Sequence, residues 1–171
     1  MPHSLKPKSL IVDIEGESLS STETKRLLNP SVAGIILFSR NFKNCNQLLM
    51  LVNSIKELRG TDFIIAVDHE GGRVQRFRQD KFTHLPSMQS IQEYFTQQQQ
   101  LTDHDLSHAL RDIGWLMAME CLCHGINVSF APVLDIENGS DVIGDRSFST
   151  EPQVVVRFAT EFSLGMKEAG L

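Results

Sequence analysis

The sequence predicts an α/β fold built on a parallel sheet, and three observations carry the prediction. Apolar runs rich in β-branched residues recur four times along the 171-residue chain. The segments between and after them place apolar residues at spacings of three and four, the mark of a helix with one buried face. No hairpin signal joins one run to the next, so the strands connect by right-handed crossovers and run parallel.

The first strand is Ser9–Ile14, with Glu15-Gly16 turning away from its end. Ser20 and Glu23 have capping-box spacing and open a short helix that Asn29-Pro30 stops. Ala33–Phe38 is the second strand, closed by the polar Ser39-Arg40-Asn41. A helix over Asn44–Arg59 buries Leu48, Leu51, Val52, Ile55 and Leu58, and Gly60 supplies its C-terminal glycine. Phe63–Val67 is the third strand. A long connection comes next, with a short helix around Ser87–Phe95 and a small glutamine run over Gln97–Gln100. Thr102 and Asp105 cap a long helix to His124 whose inner face is Leu106, Leu110, Ile113, Met117 and Cys121, and Gly125 ends it. Ile126–Ala131 is the fourth strand, closed by Pro132. Thr150 with Gln153 matches a capping box, and the last helix packs Val155, Phe158, Ala159, Phe162 and Met166 inward.

The chain is organised around Val67–Arg76. Its third strand is a continuous apolar run that stops at once, and two carboxylates, a histidine, a glycine pair and two arginines come directly after it. Ligands bind at the C-terminal ends of parallel strands. Gly71 and Gly72 permit a close turn that aims Asp68 and Glu70 into a cleft. The same residues also suit a strand ending in a charged, solvated turn, or a glycine pair at a helix N-terminus that receives a phosphate.

Composition excludes several classes. Sixteen basic against 21 acidic residues give a net charge of −5, which offers no surface for nucleic acid or an anionic membrane. No apolar run approaches the roughly 20 residues that span a bilayer, and the basic start of the chain lacks the features of a signal peptide. Three cysteines cannot pair completely, which suits a reduced, cytoplasmic protein. Cys121, Cys123 and His124 lack further ligands at the usual spacing, so neither a metal nor a cofactor is read from the sequence.

Four β-α units in a row are half of a (β/α)8 barrel of TIM type, and no linker divides residues 1–171 into domains. Ile35–Asn41, Ala66–Phe77, Ser129–Asp135 and Ile143–Phe148 occur in order. Together they resemble the bacterial β-N-acetylhexosaminidases of glycoside hydrolase family 3, in particular the single-domain cytoplasmic enzymes of peptidoglycan recycling. The resemblance implies a (β/α)8 barrel that removes terminal N-acetylglucosamine with retention. It also implies that Asp68 accepts hydrogen bonds from sugar hydroxyls and that Arg76 and Arg146 bind substrate. The chemistry agrees, because a carboxylate takes two hydroxyl protons and a guanidinium offers a rigid fork of donors. Glu70 is read as bracing an arginine or the Gly71-Gly72 turn, Asp135 as ordering its loop, and His69 has no assigned role.

A retaining glycosidase needs a nucleophile and an acid/base group. In the family resembled, the acid/base is a histidine in a Lys-His-Phe-Pro-Gly-His-Gly type of motif after the fifth strand, and the nucleophile is an aspartate further on. Neither motif occurs here, so no catalytic residue is assigned and the chain alone is expected to be inactive. The expectation covers a fragment of a longer hydrolase, one subunit of a split enzyme, and a non-catalytic half-barrel that binds a sugar or sugar phosphate. Open edges predict association, either as a homo-oligomer or with a complementing C-terminal half.

Overall fold

The computed structural model describes residues 9–98 and 100–171; the basic segment 1–8 and Gln99 of the glutamine run lie outside the described residues. Its strands are β1 (Leu10–Val12), β2 (Val32–Leu37), β3 (Ile64–Val67), β4 (His69–Gly71), β5 (Val74–Gln75) and β6 (Val128–Ser129). Four of them form one parallel sheet in the order β1-β2-β3-β6. Each new strand joins on the same side as the last. That is the winding of a barrel, whereas a doubly wound sheet reverses direction partway.

Strand β2 pairs with β3 in the register Ile35↔Ile65 and Leu37↔Val67. These four side chains are fully buried in one core with Leu48, Leu51, Val52 and Ile55 of α2 (Cys45–Arg59), which comes after the short α1 (Ser21–Leu27). The predicted ends hold for α1 and α2. The Ser20 capping box forms, Asn44 caps α2 by accepting from the Gln47 amide at 2.9 Å, and Gly60 closes it at φ 89°. After α3 (Met88–Gln97), helix α4 (Asp103–Cys123) begins with the predicted Thr102–Asp105 box. No described helix is long and apolar enough to cross a membrane.

The structure corrects three readings. The fourth strand is confined to Val128–Ser129, against the predicted Ile126–Ala131, while the apolar runs do join without a hairpin, since β4 and β5 pair antiparallel only within the loop after β3. Strand β1 is shorter than predicted, since the Ile14 carbonyl accepts from the Arg40 and Asn41 side chains at 3.0 and 3.1 Å instead of entering the ladder. The Thr150–Gln153 box does not form. Helix α5 (Pro152–Ala169) takes Glu151 as its N-cap without a side-chain bond. Pro152 in the first turn removes one of the donors that such a cap would satisfy.

Helices α4 and α5 approach until backbone meets backbone. A Cβ on Gly114 would lie 2.1 Å from the Phe162 carbonyl oxygen, and one on Gly165 would lie 2.0 Å from that of Arg111. The glycines are therefore the crossing point, and the adjacent Arg111–Glu161 ion pair closes it at 2.6 Å. Gly165→Ala should cost about 1–3 kcal/mol through overpacking, despite alanine's better helix propensity. Urea unfolding measures this, and an unchanged or raised midpoint would mean that the helices separate without cost.

Candidate functional site

The segments after β3 and β6 build the site. Val67 is fully buried, and the chain then passes through Asp68 into the β4–β5 hairpin. The turn needs glycine for two reasons. Gly71 and Gly72 have φ of 98° and 53°, and Cβ atoms there would meet the Pro86 carbonyl oxygen at 2.3 Å and the Ser87 Cβ at 2.6 Å. The glycine pair thus turns a hairpin and does not open a helix, which removes the basis for a phosphate site at a helix N-terminus.

Along the hairpin the contacts diverge. His69 is fully buried against Phe77 and Phe82, with ring centroids 5.8 and 5.5 Å away, and neither ring nitrogen has a partner among the described residues. Burial, helped by the Arg78 charge, pushes its pKa down to about 4, so the imidazole is neutral. Asp68 and Glu70 meet arginines instead. Asp68 Oδ2 accepts from Arg76 Nη2 at 2.8 Å. Glu70, only 4% exposed, accepts from Arg146 Nε and Nη2, both at 2.8 Å. This planar, two-bond pair holds the Arg146 guanidinium firmly charged; the Glu70 bonds are the chief cause, and the charges of Asp135 and Asp68 add to them. Asp68, Arg76 and Arg146 are therefore brought together at one end of the sheet.

The loop after β6 is tied to the hairpin a second time. Arg73 pairs with Asp145 at 3.0 Å and donates to the Val142 and Ile143 carbonyls at 2.6 and 3.2 Å. Asp145 is thereby committed to Arg73 and leaves Arg146 to Glu70. Asp135 contributes to loop order through its backbone, whose carbonyl accepts from Ser147 Oγ at 2.6 Å.

Three contributors were not singled out from sequence. Buried Gln75 donates to the Phe77 and Thr83 carbonyls and accepts from the Leu85 amide, so one amide side chain shapes the whole return loop. The Phe38 ring lies 4.6 Å from the Arg40 guanidinium and 5.4 Å from that of Arg76, which makes it a floor for both cations. Arg40 in turn pairs with Asp13, linking the ends of β1 and β2 to the same surface. The Gly-Gly hairpin signal was available for Gln75; Phe38 and Arg40 carried only their place after an apolar run.

Residues 6–171 match the model of the glycosyl hydrolase family 3 N-terminal domain. The chain belongs to glycosyl hydrolase family 3. A β-hexosaminidase of Idiomarina loihiensis is 46% identical over 162 residues, covering 95% of this chain and 47% of that protein. Among solved structures, native NagZ from Neisseria gonorrhoeae superposes with a TM-score of 0.88 at 41% identity, over 96% of this chain and 48% of that one. The same protein in complex with N-trifluoroacetyl-D-glucosamine matches equally well, over 100% of this chain and 49% of that one. The chain thus has the α/β fold of half a TIM-type barrel, as expected of family 3, and it spans about half the length of the curated relatives it matches.

Proposed function

We propose that these residues form the sugar-binding half of a β-N-acetylhexosaminidase that releases terminal N-acetylglucosamine from peptidoglycan fragments with retention, in a reduced cytoplasmic setting. The observation that carries the reading is the donor and acceptor set left over by the two ion pairs. Asp68 commits Oδ2 to Arg76 and keeps Oδ1 for sugar hydroxyl protons. Arg76 Nε is buried and has no partner among the described residues, as suits a donor that waits for a substrate oxygen. Arg146 spends Nε, one Nη2 hydrogen and one Nη1 hydrogen on Glu70 and the Val142 carbonyl, and keeps two N–H groups to donate.

The acid/base and the nucleophile come from outside these residues in this reading. A complementing half of the barrel supplies them and covers the exposed Phe130, Leu134 and Val156 beside β6 and α5. With a chromogenic β-N-acetylglucosaminide, the chain alone is expected to give no turnover. Co-expression with the second half of a family 3 relative should restore hydrolysis. Hydrolysis by the chain alone that disappears in Asp68→Ala would contradict this division of labour. Within the restored enzyme, Asp68→Ala should weaken inhibition by N-acetylglucosamine by about 1.5–3 kcal/mol, the cost of losing a charged hydrogen-bond partner. An unchanged inhibition constant would remove Asp68 from the sugar site.

A further inference from the structure

On the solvent face of α4, away from the sugar site, His104 and His108 stand one turn apart with their Nε2 atoms 3.1 Å from each other. Both side chains are exposed, and the ring planes meet at 52° with centroids 4.3 Å apart. We propose that this pair is a two-histidine site for a divalent transition-metal cation of the Ni²⁺, Cu²⁺ or Zn²⁺ class, which staples the first two turns of α4.

The separation of the nitrogens is the decisive observation. Zinc–imidazole bonds of about 2.0–2.1 Å that meet at angles between a right angle and the tetrahedral angle place their nitrogens about 2.8–3.4 Å apart. The two Nε2 atoms already stand at that spacing, within hydrogen-bond reach of each other, so a cation that displaces the shared proton needs no change in their separation. Residues four apart on a helix face the same way, and imidazole nitrogen is the ligand type that suits these metals.

The surrounding charge favours a cation. Asp105 is held in the cap by the Thr102 hydroxyl and amide, which both donate to its Oδ2 at 2.6 and 2.9 Å. It contributes negative charge without leaving the cap. Asp103 pairs with Arg157 at 2.5 Å, and exposed Asp112 lies one turn beyond His108. Among the described residues no group of three or more histidine, cysteine or acidic side chains can hold a metal, so water fills the remaining coordination positions. The site closes one helical turn and fixes no distant element.

Nickel(II) chloride titrated calorimetrically into the full chain tests the proposal. A Cys123→Ser background keeps the exposed thiol from competing. One saturable site is expected. His104→Ala and His108→Ala should each weaken it by about tenfold or more, since loss of a ligand costs at least as much as loss of an outer-shell partner. His84→Ala should leave it unchanged. Hydrogen exchange of the α4 amides just beyond His108 should slow with nickel in the parent and not in either single variant. Both histidines are exposed, so circular dichroism of the metal-free variants should match the parent. Absence of saturable binding, or binding that survives either substitution, overturns the proposal.

Discussion

Arg146→Met should destabilise the protein by about 3–5 kcal/mol, the cost of leaving a buried carboxylate without its counter-charge. Glu70 is 4% exposed and accepts both of its side-chain hydrogen bonds from Arg146. Methionine fills the space of the arginine stem but offers no donor. The loop after β6 would then be joined to the hairpin by Arg73 and Asp145, which are nearly half exposed and worth far less. Adding Glu70→Gln to Arg146→Met should recover a large part of the loss, because a neutral amide tolerates burial better than an orphaned charge. A double-mutant cycle by urea unfolding gives the coupling directly. Additive effects, or an Arg146→Met midpoint equal to that of the parent, would mean that Glu70 does not depend on this arginine.

The second large effect is a loss of stability in mild acid through His69. Its folded-state pKa, about 4, lies below the ordinary value of 6.5, so between those values the unfolded chain binds a proton that the folded chain refuses. Stability therefore rises with pH across that window. It is complete above the unfolded value and falls as pH drops toward the folded one. The contribution is about 3 kcal/mol, the order of magnitude for a shift of this size. His69→Phe, placed among Phe77 and Phe82, should flatten the pH dependence of the unfolding midpoint over that range. An equally steep dependence in the variant would assign the acid sensitivity to other groups.

Both effects start at residues whose identity was legible and whose environment was not. Asp68 stood out because an apolar run ends abruptly in front of it, and the caps at Ser20 and Thr102 could be read from spacings of three residues. These signals are local and rest on backbone donors that any helix start presents. The Glu70–Arg146 pair joins residues 76 positions apart, and no local pattern encodes it; the sequence supported only a bracing role for Glu70. Gly114 and Gly165 escaped notice for the same reason, since each is small to admit a carbonyl of another helix. At Gly71-Gly72 the need for positive φ was legible. Whether the turn led to a helix or a hairpin depended on the Pro86 and Ser87 backbone packed against it.

Asp68, Arg76 and Arg146 stand or fall together as one sugar site. A crystal structure of the protein soaked with N-acetylglucosamine tests this most directly. The sugar should lie at the C-terminal ends of β3 and β6, with hydroxyls on Asp68 Oδ1, an oxygen on Arg76 Nε and another on a free N–H of Arg146. A sugar bound elsewhere while these three side chains keep their present partners would contradict it.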